Sequence, residues 1–146
     1  MRMMKSSRGF TIIEVVVVVA VFLAIISILG PFVRMVKDRA SAIQCENNLR
    51  RLSIALHTYA SEHEDAFPPD LGALYPDYVG DQKVFDCAAS GSFGTPEKPD
   101  YSYAPGLTES SLLKTPIVED AAGNHGRKGK NILRVDGSVE WAGRRF

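Results

Sequence analysis

Glu14 is a carboxylate placed four residues into an almost unbroken apolar run, Phe10 to Val33. A charge of this kind costs about 2.5–3.5 kcal/mol at the centre of a bilayer on insertion scales, and less near the end of a span. Such an acid calls for a partner. Few other residues have types that could do chemistry. The two cysteines, Cys45 and Cys87, do not make a disulfide framework. One bridge between them stays open, against two buried or free thiols, because spacing does not give their separation. His125, Asp120 and Asp136 could approach one another as a zinc or hard-metal site. No ligand-spacing motif joins them, so no metal is assigned. His57 and His63 lie six apart on a helical pattern and do not share a face. No nucleophile elbow, phosphate loop or paired carboxylates stand out, and the chain reads as a non-enzyme.

The elements that would position Glu14 come first. Phe10 to Val33 is 24 residues, about 36 Å as a helix, against about 30 Å of hydrocarbon. The run is too long for the apolar part of a secretory signal, and no small-residue cleavage site follows it. An ordinary anchor fits the length and leaves Glu14 unexplained. The five valines Val15–Val19 would also suit a strand, but a lone strand in hydrocarbon leaves its backbone unpaired, so a helix is expected. Gly30 and Pro31 should kink or loosen it.

From Val36 to about His63 the pattern is again helical. Ala40, Ile43, Asn47, Leu49, Leu52, Leu56 and Tyr59 form a stripe. The helix should stop before Phe67-Pro68-Pro69. Asp70 to Tyr78 reads as a short helix capped by Asp70. A long irregular stretch, about 80–114, follows, with short strands at Tyr101–Tyr103 and Pro116–Glu119. Asn131–Val135 and Ser138–Ala142 flank Asp136-Gly137, a two-residue hairpin signature. That turn would pair Leu133 with Glu140 and Ile132 with Trp141. It would set Ile132, Val139 and Trp141 against the long helix. The fold class is α+β: a long N-terminal helix packed on a small C-terminal antiparallel sheet.

Seventeen basic and seventeen acidic residues balance. That gives no bulk case for nucleic-acid binding. Charge is nevertheless segregated. Residues 34–51 carry five basic and two acidic side chains, residues 62–120 three and twelve, and residues 127–146 six and two. These are solvated loops or complementary patches between neighbouring subunits. Arg127, Lys128 and Lys130 make a basic loop that reads first as solvated. Arg34, Lys37 and Arg39 follow the span as closely as Arg2, Lys5 and Arg8 precede it, so charge does not orient it.

The basic leader, the Gly9-Phe10 junction and Glu14 resemble the start of type IV prepilins and pseudopilins. The resemblance implies that a prepilin peptidase cuts after Gly9, that the Phe10 amine is methylated, and that Glu14 guides assembly into a pilus or type II secretion pseudopilus. Pro31 would let the helix adapt in the filament. Domain bounds follow as leader 1–9, transmembrane and assembly helix 10–33, amphipathic continuation 34–66 and globular head 67–146. The implied partners are further copies of the chain, the peptidase and inner-membrane assembly machinery. The implied location is the bacterial inner membrane with an external head, then the filament.

A second resemblance lies in the C-terminal half. His125, followed by Asn131 to Val139 with Asp136-Gly137, looks like the tail of a prepilin-type processing-associated group defined by His, nine residues, then Asp-Gly. Here ten residues intervene. Some pseudopilins hold calcium in a C-terminal loop, but Asp136-Gly137-Ser138 is too little to carry that over, and no cofactor is assigned. Two other classes stay open: a membrane-tethered binding or metal-dependent domain that does not polymerise, and a minor tip subunit that binds DNA or a surface.

Overall fold

A computed structural model describes residues 10–126 and 128–143. The first helix, α1, runs Ile12–Glu62. Contacts divide the chain into two compact units, Met1–Val36 and Lys37–Phe146. In the first, no described side chain is buried. α1 is continuous through Gly30 and Pro31, so the loosening expected there does not interrupt its secondary structure. Pro31 has no N–H to give the carbonyl of Ser27 four residues back.

The second unit holds the core. α1 buries Ala42, Cys45, Asn48, Leu49, Leu52, Ser53, Ala55, Leu56 and Ala60. Leu49, Leu52 and Leu56 lie on the stripe read from the sequence. Ala40, Ile43 and Asn47, assigned to the same stripe, are exposed. The buried face is rotated toward small and polar residues, Ala42, Cys45, Asn48, Ser53 and Ala55 among them. Asn48 Nδ2 donates to the Asp86 carbonyl at 2.9 Å, a bond that an apolar count could not anticipate. The helix ends where expected. Glu64 and Asp65 take positive φ values of 54° and 63°, and the Asp65 N–H returns to the Ala60 carbonyl at 3.0 Å.

The short helix expected over Asp70–Tyr78 is smaller, a single 3-10 turn at Leu71–Leu74. Asp70 caps it by accepting from the Ala73 N–H. A second 3-10 turn, Gln82–Phe85, lies inside the irregular stretch. Four strands follow: β1 Tyr101–Tyr103, β2 Pro116–Asp120, β3 Gly129–Arg134 and β4 Val139–Gly143. They form one antiparallel sheet in the order β1-β2-β3-β4. The α+β class and its long helix on a C-terminal antiparallel sheet are as read from the sequence. A register shift between Pro116 and Val118 lets the neighbouring Ile117 and Val118 both be buried, despite the strict alternation of a regular strand.

The hairpin register differs from the expected one by one residue. Leu133 pairs with Val139, Ile132 with Glu140 and Asn131 with Trp141. The loop is therefore Val135-Asp136-Gly137. Arg134 N–H donates to the Ser138 carbonyl and Gly137 N–H to the Arg134 carbonyl. Gly137 sits at φ +76°, the left-handed position that closes a three-residue hairpin loop. A slip of one residue exchanges the faces of a strand. Asn131, Leu133 and Val135 consequently point into the core, while Ile132 does not. Trp141 does face α1, lining a groove with Ala42 and Ile43, but its companions are Asn131 and Val139.

Candidate functional sites

At the start of α1, Thr11 supplies a cap. Its hydroxyl accepts from the Glu14 N–H at 3.3 Å, and its carbonyl accepts from Glu14 and Val15. Thr11-Ile12-Ile13-Glu14 has the spacing of a capping box. This was legible as Thr-x-x-Glu and was missed. It places Glu14 in the first helical turn, where the exposed N–H groups favour a negative charge. Phe10 and Glu14 are both exposed. So is every described side chain through Lys37. An apolar surface of this length needs lipid or other helices to cover it. α1 is long and apolar enough there to cross a membrane. Gly9, the other half of the expected processed bond, lies outside the described residues.

The second site lies within the second unit and was not foreseen as a unit. One row crosses the sheet: Tyr101 on β1 pairs with Asp120 on β2, and Asn131 on β3 pairs with Trp141 on β4. Glu119 pairs with Ile132, which sets Asp120 beside Asn131. Cys45 approaches this row from α1, and Cys87 from the segment after the second 3-10 turn. His125 comes from the β2–β3 connection. One potential ligand atom from each of Cys45, Cys87, Asp120 and His125 lies within 4.8 Å of all the others, and all four residues are buried. His125 Nε2 is 3.6 Å from Cys87 Sγ and 3.1 Å from Asp120 Oδ2. Both cysteines are free thiols.

Of the three residues that could have approached one another, only two meet. His125 and Asp120 do meet, but Asp136 is at the hairpin loop. There it pairs with Lys114 at 2.8 Å and accepts from the Ser138 N–H. The two cysteines take its place. His125 Nε2 faces a sulfur and a carboxylate.

The surroundings hold these side chains firmly. Asn131 donates its backbone N–H and its side-chain amide to Asp120 Oδ2, at 2.7 and 2.9 Å. The same amide donates to the Ala42 carbonyl on α1. Asp120 Oδ1 is buried with no hydrogen-bond partner. The Cys87 N–H donates to Asp100 Oδ2, which also accepts from Ser90. The Trp141 ring meets the His125 ring edge-on at 5.4 Å. Burial would depress the His125 pKa, but its bonds to Asp120 and Cys87 outweigh that and push it up to about 9. The nearness of the two sulfurs splits the thiols. It raises Cys45, together with burial, and lowers Cys87 against burial, with His125 helping.

The remaining candidates are spent locally. His57 Nδ1 pairs with Glu109 at 2.6 Å. His63 stacks on Tyr59 and faces its carbonyl. In the basic loop, Lys128 pairs with Asp38 and Lys130 with Glu119. Arg127 lies outside the described residues. Arg51–Asp81 and Arg134–Glu140 pair as well, so part of the segregated charge closes within the chain.

Residues 4–30 match the family model described as the prokaryotic N-terminal methylation motif. The match contains Gly9, Phe10 and Glu14 and ends before Pro31; it does not extend to the His125–Gly137 segment. No curated protein and no solved structure matches the chain.

Proposed function

We propose that this type IV pilin-like chain is a structural subunit. In this reading a prepilin peptidase cuts after Gly9 and the chain then polymerises into a pilus or secretion pseudopilus. The observation that carries the proposal is an N-terminal methylation motif laid over an apolar run, Phe10 to Val33, whose one acid, Glu14, sits in the first turn of α1. Cleavage would leave fourteen basic against seventeen acidic side chains, a net −3, and would create a positive amine at Phe10.

In a bundle of such helices, Glu14 of one copy would face the Phe10 amine of the next. Between apolar helices that pair is a strong charge-assisted bond. A subunit that misses it leaves a bare carboxylate in a low-dielectric setting, and breaking a buried pair costs about 3–5 kcal/mol. The penalty sets axial register. Before assembly the same helix holds the chain in the inner membrane with the second unit outside. The reading makes the protein a substrate of a processing enzyme and not an enzyme.

Mass spectrometry of the native N-terminus tests it. The expected mature chain begins at Phe10 and carries one added methyl group. A native chain that retains Met1–Gly9 overturns the proposal.

A further inference from the structure

We propose that Cys45, Cys87, Asp120 and His125 bind one zinc ion as a closed structural site that ties α1 to the sheet. The inference concerns the second unit alone and does not depend on processing or assembly of the first.

The donor set is the first ground. Two sulfurs, one imidazole nitrogen and one carboxylate are ligand types that zinc takes, and four protein ligands are what a structural site uses. The chain brings them from α1, from a loop, from β2 and from the β2–β3 connection, so the ion would join elements that the sequence keeps far apart.

Geometry is the second ground. Zinc bond lengths of about 2.3 Å to sulfur and about 2.0–2.2 Å to nitrogen and oxygen imply tetrahedral edges of about 3.6 Å for S···N and about 3.3 Å for N···O. The corresponding separations here are 3.6 Å from Cys87 Sγ to His125 Nε2 and 3.1 Å from His125 Nε2 to Asp120 Oδ2. Two of the six edges of a coordination tetrahedron thus stand close to their bonded lengths, and the other donor pairs lie within 4.8 Å.

The third ground is electrostatic. The Asp120 side chain is 0% exposed and that of His125 is 3% exposed. Asn131 and His125 attend to Asp120 Oδ2, whereas Oδ1 is left without a donor. An unpaired buried carboxylate oxygen is expensive. A Cys45–Cys87 disulfide would link the sulfurs and leave that oxygen as it is. A cation held through the Asp120 carboxylate counters its buried charge and takes both sulfurs as ligands together. Two thiolates, one carboxylate and a neutral imidazole give −3, and zinc brings the site to −1, as in a Cys3His centre. Protons from the two thiols, and from the imidazole where it is charged, leave to solvent on binding.

The supporting parts are also present. Asn131 clamps the carboxylate, and Asp100 holds the Cys87 backbone. Such outer contacts orient metal ligands. A groove of about 480 Å³ has His125 in its wall.

The test uses the full-length chain in detergent, purified under reducing conditions without chelator. Elemental analysis should find about one zinc per chain. Replacement by cobalt(II) should give a strong near-ultraviolet thiolate-to-metal band with tetrahedral visible bands. Cys45→Ser and Cys87→Ser should each weaken the ultraviolet band, and Asp120→Asn should shift the visible ones. Because these variants could misfold, the wild-type protein carries an independent readout. Zinc should protect both thiols from alkylation, and a chelator should expose both and lower the melting temperature. Reduced protein with no stoichiometric metal and no cobalt–thiolate band overturns the proposal. So does a Cys45–Cys87 disulfide in protein taken from its native compartment. Neither result would alter the N-terminal mass, so this inference and the subunit reading fail separately.

Discussion

Asn131 on β3 gives both its backbone N–H and its side-chain amide to a single oxygen of Asp120 on β2, at 2.7 and 2.9 Å. The amide also reaches the Ala42 carbonyl of α1 at 3.1 Å. One side chain thus joins a helix to two strands and fixes a buried carboxylate. Hydrogen bonds to charged groups are worth about 1.5–3 kcal/mol, and an abandoned buried acceptor costs more than an absent one. Asn131→Ala should destabilise the second unit by about 2–3 kcal/mol. Urea unfolding followed by the Trp141 fluorescence checks this; a change within error of zero would show that the clamp carries no stability.

Gly137 has φ +76°, and a Cβ there would stand 3.2 Å from Ser53 Oγ and 3.5 Å from His57 Nε2 on α1. The left-handed backbone disfavours a side chain, and Ser53 Oγ would have to give by a few tenths of an ångström. Gly137→Ala should cost about 1–2 kcal/mol, mostly from the backbone. A thermal melt should fall by several degrees, since about 1 kcal/mol moves a unit of this size by about 4–8 °C. An unchanged melt would mean the loop re-forms with another turn and register.

Asp100 accepts from the Cys87 N–H at 3.2 Å and from the Ser90 and Ser92 hydroxyls at 2.6 and 2.9 Å. Burial raises its pKa, but these bonds outweigh burial and hold the carboxyl below its ordinary value. The folded pKa is depressed, so the stabilisation is complete above the unfolded value, about 3.9. It is lost as pH falls through the lower folded value. Asp100→Asn should be less stable than wild type near neutrality and converge with it in acid. A gap between the two proteins that stays constant down to strongly acid pH would rule out this role.

Glu14 has two separable tasks, a place in the helix start and the proposed pair with Phe10 of another copy. Glu14→Gln keeps the size and removes the charge. It should insert in the membrane normally yet lower filament yield by about a hundredfold or more, which is what losing a pair worth about 3 kcal/mol implies. Thr11→Val removes the capping hydroxyl, costs about 1 kcal/mol of helix start and should leave assembly in place. Electron microscopy of filaments from both variants decides. Normal filaments from Glu14→Gln would defeat the register argument.

Much of this architecture was legible because it is local. Apolar runs, Pro-Pro punctuation and the Asp-Gly loop act within a few residues, so the long helix, its end near Glu62, and β1 to β4 could be read from patterns. The misreadings share one cause. The α1 stripe and the hairpin register each hinge on what a side chain meets across the fold. Ile43 looks like core and is exposed, whereas Cys45 and Asn48 look incidental and are buried. Asp-Gly fits a two-residue loop, yet Leu133 pairs with Val139 and the loop has three residues, with Val135 buried in it.

By itself, the sequence determined the apolar N-terminal helix, the acid in its first turn and the processing signature around Gly9-Phe10. Each is a matter of residue type at short spacing, and solvation energy acts on them without a partner fold. Only the tertiary structure decided that Cys45, Cys87, Asp120 and His125 form one buried cluster. Their chain spacing matches no ligand motif. What brings them within reach is the packing of α1 on a sheet whose register aligns Asp120 with Asn131.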